Sequence, residues 1–189
     1  MGIALAEAAF EFGANVDLVL GPVGLKPKSS AINVINVTTA ESMARECLSK
    51  FPECDVAILA AAVADYSPVR VEERKIKRVS GEYILRLKPT IDIAGTLGKA
   101  KKKSQILTGF ALETNDEIPN AISKLKKKNL DIIVLNSLSD EGAGFGYDTN
   151  RITIIDRNNN IDKFELKSKE EAARDILKKV VSIMNSKTE

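Results

Sequence analysis

The stretch "DVAILAAAV", residues 55–63, decides the fold class. A continuous apolar run of this kind is typical of a β-strand that is covered on both faces, as in a parallel sheet. Further along the chain, "QILTGFAL" (105–112) and "DIIVLN" (131–136) predict two more such strands, with helical patterns between the three runs. We therefore expect an α/β fold with a doubly wound, mostly parallel, Rossmann-like sheet.

The rest of the chain continues the alternation of helices and strands. The segment 3–12 predicts an apolar helix that ends at Gly13, a residue suited to the left-handed conformation that follows a helix. Further strands are expected at 15–20, 32–37 and 83–88, and a further helix at 91–102. Capping boxes are expected at the starts of three helices, in Thr38-x-x-Glu41, Thr114-x-x-Glu117 and Ser168-x-x-Glu171. The segments 151–156 and 163–167 are expected to pair as a small antiparallel extension of the sheet.

Length and composition describe an ordinary globular protein. The 189 residues fit a single domain, 1–189, with 44% apolar and 29% charged residues. The formal charge of +2 gives no argument for a nucleic-acid or membrane partner, and no apolar stretch approaches the ~20 residues of a membrane span. The start of the chain lacks the pattern of a signal peptide, and Cys47 and Cys54 read as reduced thiols, so we expect a cytoplasmic protein. The absence of histidine excludes a histidine base, a histidine-bound zinc site and a Ser-His-Asp triad.

Three strand ends are expected to meet at one edge of the sheet. They are "AAVADY" (61–66), "TGFALETN" (108–115) and "LNSLSDEGAGFG" (135–146). Ligands of doubly wound sheets bind outside the carboxyl ends of the strands. The functional site is therefore expected at this edge.

Several charged residues near that edge could handle phosphate, although each has a simpler interpretation. Lys75 and Lys77 alternate, so on an extended segment they would point the same way toward a phosphate, or they would belong to a surface turn. Asp65 could bind Mg²⁺, a ribose hydroxyl or the lysines, or simply end a strand. Lys124 and Lys128 would share one helix face, at a site or in solvent. The "GAGFG" loop (142–146) does not fit a dinucleotide fingerprint, and no Walker loop is present.

The order of these segments resembles a known family. It runs "GIALAEAAFEFGANVDLVLGPV", "AAVADY" followed ten residues after its Asp by "KIK", "TGFALETN", "KKKNLDIIVLN" and "GAGFGYDTNRITII". This set resembles phosphopantothenoylcysteine synthetase, the synthetase half of the bacterial bifunctional decarboxylase/synthetase of coenzyme A biosynthesis, over nearly the whole chain. In the family a strand, a glycine-rich loop and an Asn-x-x-Ser-Ser-Gly-Lys segment precede the helix that starts here at Met1-Gly2. The chain is therefore expected to lack that front end, and to be weakly active or inactive by itself.

The resemblance implies a reaction and its participants. The family couples 4′-phosphopantothenate to cysteine, using CTP and Mg²⁺, through an acyl-cytidylate that forms with release of pyrophosphate; the cysteine amine then displaces CMP. Lysines, backbone amides and Mg²⁺ can supply the required positioning and charge neutralisation without a histidine. A homodimer and an association with a flavin-dependent phosphopantothenoylcysteine decarboxylase are also implied.

The resemblance further implies a set of site residues. Lys75 would be the catalytic lysine of a flap, facing the phosphates, and backbone groups at Phe110 would read the cytosine. Ile91 stands where the family usually has proline. No role follows for Asn136 or for the 142–150 loop, and no metal ligands are assigned. The nucleotide-binding set is Leu59, Ala60, Ala61, Asp65, Lys75, Ile91, Asp92, Ile93, Ala94, Phe110, Lys124 and Lys128.

Two other classes of function are compatible with the pattern. "ILAAAVAD" resembles a strand of NAD(P)-dependent Rossmann oxidoreductases, but the Tyr-x-x-x-Lys pair of short-chain dehydrogenases is absent. A non-catalytic nucleotide-binding or dimerisation module is the third possibility. An oxidoreductase should bind NADPH, whereas a module should bind a nucleotide without turnover.

Overall fold

The computed structural model describes residues 1–72, 74–78, 80–113, 115–137 and 147–188. The helices are α1 (Gly2–Glu11), α2 (Ala40–Lys50), α3 (Ile93–Ala100), α4 (Glu117–Lys127) and α5 (Lys169–Thr188), with a short 3₁₀ turn at Phe51–Glu53. The strands are β1 (Asp17–Leu20), β2 (Asn33–Asn36), β3 (Val56–Leu59), β4 (Tyr66–Pro68), β5 (Leu87–Pro89), β6 (Ile106–Glu113), β7 (Ile132–Ser137), β8 (Thr149–Asn150), β9 (Ile152–Asp156), β10 (Ile161–Lys163) and β11 (Lys167–Ser168).

A five-stranded sheet forms the centre, in the order β10-β9-β7-β6-β3. The pairs β3–β6 and β6–β7 are parallel, whereas β9 runs antiparallel to β7 and β10 antiparallel to β9. Strands β1 and β2 form a separate parallel pair. The expected α/β class, with a mostly parallel sheet and an antiparallel extension, is confirmed.

Helices cover both faces of the sheet. One face packs against α1 and α5, and the other packs against α2, α3 and α4. Alternate residues of β7 supply the two cores: Ile132 and Val134 point to the first face, and Ile133 and Leu135 to the second. Burial of these residues on both sides explains why the central strands read as continuous apolar runs.

Three strands differ from their predicted bounds. The strand predicted at 55–63 ends at Leu59, because the apolar run continues into alanines, which favour strands only weakly. The strand predicted at 83–88 is limited to Leu87–Pro89; Tyr83, Ile84 and Leu85 are exposed, so their alternation has no core to face. The antiparallel partner of β9 is Ile161–Lys163 and not the predicted 163–167, because a turn at 157–160 brings the chain back earlier.

Helix starts also differ from prediction. The cap of α2 is Thr39, which accepts a hydrogen bond from the Ser42 amide, so the expected cap at Thr38 is wrong by one residue. Helix α4 begins at Glu117 after Asp116, and Thr114 lies outside the described residues. The predicted capping box of α5 is confirmed, because the Glu171 carboxylate accepts from the backbone and hydroxyl of Ser168.

A buried carboxylate joins several elements at the amino ends of the strands. Asp131 is 1% exposed and accepts hydrogen bonds from the Lys101 ammonium at 2.5 Å, the Lys187 ammonium at 3.0 Å and the Leu107 amide at 2.8 Å. The Arg157 guanidinium lies 3.3 Å from the same carboxylate. Asp131 thereby connects the ends of α3 and α5 to strands β6 and β7.

Within the described ranges, no helix combines the length and apolar character that crossing a membrane requires.

Candidate functional site

The loop that follows β3 is fastened to the start of α3. The Thr90 amide donates to the Asp65 carbonyl at 2.9 Å, and the Thr90 hydroxyl donates to the Ala64 carbonyl at 2.6 Å. Antiparallel pairing of Tyr66 with Pro89 continues this junction. As a result, Asp65 is held next to the segment that leads into Asp92.

Asp92 is the cap of α3 and the centre of the site. Its Oδ1 accepts from the Gly95 amide at 3.1 Å and from the Lys128 ammonium at 2.9 Å. A Cβ on residue 95 would lie 2.6 Å from Asp92 Oδ2, so a larger residue there would displace the carboxylate from its position over the helix end. Burial acts to raise the pKa of Asp92, but the hydrogen bonds from Lys128 and Gly95 outweigh it, and the pKa lies below its ordinary value.

The second lysine of α4 also has a carboxylate partner. The Lys124 ammonium pairs with Glu113, which ends β6 and is mostly buried. Glu113 was not among the site residues expected from the sequence. It carries the feature that pointed to Asp65, because it is an acidic residue at the carboxyl end of a predicted central strand.

Phe110 stands on the other side of the sheet from these lysines. Its side chain packs against the core formed with α1 and α5, whereas Lys124 and Lys128 belong to α4 on the opposite face. The backbone of Phe110 lies in β6, paired with Val134 of β7. Its side chain therefore does not face the two ammonium groups.

The remaining predicted residues divide into two groups. Leu59 ends β3 and packs against the core that includes α3, whereas the half-buried Ala60 packs against the opposite core and Ala61 is exposed. In the first turn of α3 and just before it, Ile91 is exposed, Ile93 is buried and Ala94 is half-buried.

The structure does not bring Lys75 to this group. It is exposed in the arm, which we define as the described residues of segment 69–86 between β4 and β5, and it makes no ion pair or hydrogen bond with another described residue. Lys77 is exposed in the same arm. The predicted loop at 142–146 lies outside the described residues, and Asn136 of β7 accepts a hydrogen bond from the Asn150 side chain at 3.3 Å.

Two lysine–carboxylate pairs are therefore present, Lys128 with Asp92 at the amino end of α3 and Lys124 with Glu113 at the end of β6. Free amides at a helix amino end and nearby lysines favour phosphate groups. Within the described part of the chain, no cluster of three or more Asp, Glu, Cys or His side chains could hold a metal ion by itself. Mg²⁺ usually binds one or two carboxylates together with substrate phosphates, and the Asp92 carboxylate fits that mode.

Known proteins resemble this chain over nearly its whole length. A cysteine/cysteine sulfinic acid decarboxylase from an unknown prokaryotic organism is 63% identical over 98% of this chain and 52% of its own length. The coenzyme A biosynthesis bifunctional protein CoaBC of Bacillus subtilis (strain 168) is 43% identical over 97% of this chain and 45% of its own length. The chain thus spans about half the length of these curated relatives.

A solved structure extends the comparison to the fold. The crystal structure of the C-terminal domain of CoaBC superposes with a TM-score of 0.82 at 33% identity, covering 98% of this chain and 82% of that one. The DNA/pantothenate metabolism flavoprotein C-terminal domain family matches residues 1–184. The resemblance drawn from the sequence is confirmed, and the chain belongs to this family, as a phosphopantothenoylcysteine synthetase domain.

Proposed function

We propose that this chain supplies the nucleotide site of a ligase of coenzyme A biosynthesis, which joins 4′-phosphopantothenate to cysteine at the expense of CTP. The observation that carries the proposal is the ion pair of Lys128 with Asp92 at the amino end of α3, with a second ion pair, four residues earlier in the chain, between Lys124 and Glu113 at the end of β6. Membership of the family and the names of the CoaBC relatives support it.

In the first step, a carboxylate oxygen of 4′-phosphopantothenate attacks the α-phosphorus of CTP. The bond from that phosphorus to the bridging oxygen of the β-phosphate breaks, and pyrophosphate leaves with the bonding electrons. Lys124 and Lys128 would neutralise the phosphate oxygens, because their spacing of four residues directs both side chains to one side of the helix and both already bind carboxylates there. Lys75 would join them from the arm.

In the second step, the amine of cysteine attacks the acyl carbonyl carbon of the acyl-cytidylate. The carbon–oxygen bond to CMP breaks, the amine loses a proton to solvent, and an amide forms. Because CMP is already a good leaving group, the protein's main contribution is to hold both reactants in place.

Mg²⁺, when bound with the triphosphate, would supply additional neutralisation of phosphate charge. Asp92 is the carboxylate that would hold it, and Asp65 is a second candidate because the Thr90 amide ties its backbone to the segment that leads into Asp92. Asp92 also orders the start of α3, so the same carboxylate fixes the helix end against which the phosphates would lie.

Selection of CTP is proposed to come from the backbone near Phe110. Its carbonyl and amide lie in the strand that borders the site, whereas its ring is directed into the opposite core. Backbone groups offer fixed donors and acceptors that can match the edge of one base and leave groups unpaired with another.

A homodimer is proposed to form through the arm. Its apolar side chains are largely exposed, among them Val71, Tyr83, Leu85 and Ile84, the last at 82%. A concentration of exposed apolar side chains in one segment is typical of an interaction surface.

Sedimentation velocity should give the mass of a dimer, and Ile84→Asp should shift the protein toward the monomer. The matched control is Leu25→Asp, because Leu25 is 75% exposed outside the arm and its replacement should leave the mass unchanged.

A flavin-dependent decarboxylase that consumes the product is proposed as the partner for the following step. The curated relatives are about twice as long as this chain, which supports association with a second activity. Co-purification of the two proteins at a fixed ratio would support the association.

Calorimetric titration with CTP, ATP and NADPH, each with Mg²⁺, tests the nucleotide assignment. We expect CTP to bind most tightly, and Lys128→Met to weaken it while Lys126→Met, an exposed change on the same helix, does not. Binding of NADPH without CTP would overturn the proposal in favour of an oxidoreductase. Binding of CTP without pyrophosphate release in the presence of 4′-phosphopantothenate would identify a non-catalytic module.

A further inference from the structure

We propose that Asn129 is a positioning residue of the nucleotide site. Together with Gly98, Asn129 fixes the position of the Lys128 backbone, and thereby allows the Lys128 ammonium to bind Asp92. That the ligand of this site is a nucleotide rests on the function proposed above. The ion pair between Lys128 and Asp92 can be measured without any nucleotide, so the two proposals can fail separately.

Helices α3 and α4 touch backbone to backbone below the site. A Cβ on residue 98 would lie 1.9 Å from the Lys128 carbonyl oxygen and 3.3 Å from Asn129 Cβ. Any side chain at this position would therefore force the end of α4 away from α3. Glycine is compatible with the contact because it has no Cβ.

Asn129 closes this contact with its side chain. It follows the end of α4 with a φ of +52°, and its Nδ2 donates to the Gly98 carbonyl at 2.6 Å. Its Oδ1 accepts from the Arg157 guanidinium. Since arginine only donates and a carbonyl only accepts, these two partners fix the orientation of the amide.

Arg157 is itself held on the body of the protein. Its Nε donates to the Leu130 carbonyl at 2.9 Å and lies 3.3 Å from the buried Asp131 carboxylate. The chain of contacts therefore runs from the core, through Arg157 and Asn129, to the backbone of α3. This makes the position of Asn129 a property of the folded sheet and not of α4 alone.

The position of the Lys128 backbone determines whether its ammonium can bind Asp92. Gly98 lies six residues after Asp92, so the helix rises about 9 Å between them. The Lys128 side chain has to cover most of that height, because its backbone contacts Gly98 while its ammonium is 2.9 Å from Asp92 Oδ1. A displacement of the lysine backbone away from α3 would therefore separate the ammonium from Asp92.

A purely structural role for Asn129 predicts something different. Many helices end in a left-handed residue, and glycine serves that purpose at least as well as asparagine. If Asn129 only ended α4, Asn129→Gly would leave the site unchanged. If it positions Lys128, the same change would loosen the pair with Asp92 even in a folded protein.

The first test is the crystal structure of Asn129→Gly in the full chain, without nucleotide. The distance between Lys128 Nζ and Asp92 Oδ1, 2.9 Å in the wild-type protein, should increase until the ion pair is lost, because the Lys128 backbone moves away from α3. Asn159→Gly is the matched control and should leave that distance unchanged: Asn159 also has a left-handed backbone, φ +59°, and is exposed on the turn after β9. Asn129→Asp is the second variant, since its carboxylate can still pair with Arg157 but cannot donate to the Gly98 carbonyl. An intact Lys128–Asp92 pair in both Asn129 variants would overturn the inference.

The second test is a double-mutant cycle on nucleotide affinity. We expect Asn129→Gly to weaken CTP binding about tenfold in the wild-type background and to have no further effect in the Lys128→Met background. Equal effects in both backgrounds would show that Asn129 does not act through Lys128, and would overturn the inference. If the wild-type protein binds no CTP, the proposed function fails, whereas the distance between Lys128 and Asp92 in the Asn129 variants still decides the role of Asn129.

Discussion

At the scale of single residues, two lysine–carboxylate pairs distinguish the proposed site. The chain has no histidine, so the charges at that site belong to lysine, aspartate and glutamate side chains. Lys128 and Lys124 each lie against a carboxylate, Asp92 and Glu113, which holds them at the edge of the sheet. Lys75 differs from them because it is exposed in the arm.

Replacing Lys75 tests whether the arm contributes to the reaction. We expect Lys75→Gln to slow pyrophosphate release about 10²-fold, because in the proposed mechanism Lys75 would face the developing charge and the substitution removes that positive group. Quenched-flow measurement of pyrophosphate gives the rate, and calorimetry gives CTP affinity. The control is Lys103→Gln, an exposed lysine between α3 and β6. Equal rates in Lys75→Gln and wild type would remove Lys75 from the mechanism.

The pairing of residues was the part of the site that the sequence could not predict. Lys124 and Lys128 could be placed on one helix face, because the spacing of four residues determines that face. Their partners could not be identified, since Glu113 and Asp92 lie on different elements whose approach depends on the packing of α3, α4 and β6. Gly98 gave no signal either, because its role depends on how closely another helix approaches it.

At the scale of elements, local rules predicted the type of structure well and its ends less well. Strands β6 and β7 were predicted because both their faces are buried, and β3, at the edge of the five-stranded sheet, because its apolar side chains are half-buried on both faces. The segment 83–88 was misread because its alternation occurs in the exposed arm. A choice between neighbouring Thr38 and Thr39 could not be made from sequence, since both precede a helical pattern.

The cap of α2 gives a test at this scale. Thr39→Ala should lower the free energy of unfolding by about 1 kcal/mol, because Ser42 loses the acceptor for its amide. Thr38→Ala should have almost no effect, since Thr38 is exposed and outside the cap. Urea denaturation followed by circular dichroism measures both. A larger loss for Thr38→Ala would contradict the observed helix start.

At the scale of the whole molecule, Asp131 connects elements that are far apart in sequence. Burial acts to raise its pKa, but hydrogen bonds from Lys101, Leu107 and Lys187 outweigh it and the pKa is lowered. A carboxyl with a lower pKa in the folded state stabilises that state above its unfolded pKa of about 3.9. This contribution is lost as pH falls through the lower, folded-state value.

Replacing Asp131 should therefore affect both stability and its dependence on acid. Asp131→Asn is expected to lower the free energy of unfolding at pH 7 by about 3–5 kcal/mol, because three cations lose a buried partner. It should also reduce the loss of stability below about pH 4. The control Asp162→Asn removes an exposed partner of Lys179 and should cost less than about 1 kcal/mol. Urea unfolding at a series of pH values measures both effects, and identical acid profiles for wild type and Asp131→Asn would refute this role.

The arm is a segment in which a protease can cut the chain without breaking the central sheet. It presents exposed trypsin sites at Arg70, Arg74, Lys75, Lys77 and Arg78, all between β3 and β6 in sequence. These two strands are hydrogen-bonded neighbours, so a cut in the arm separates the chain covalently but leaves their ladder intact. Brief tryptic digestion should therefore yield two bands in a denaturing gel and one particle in native mass spectrometry, a protein in two pieces that keeps a continuous sheet.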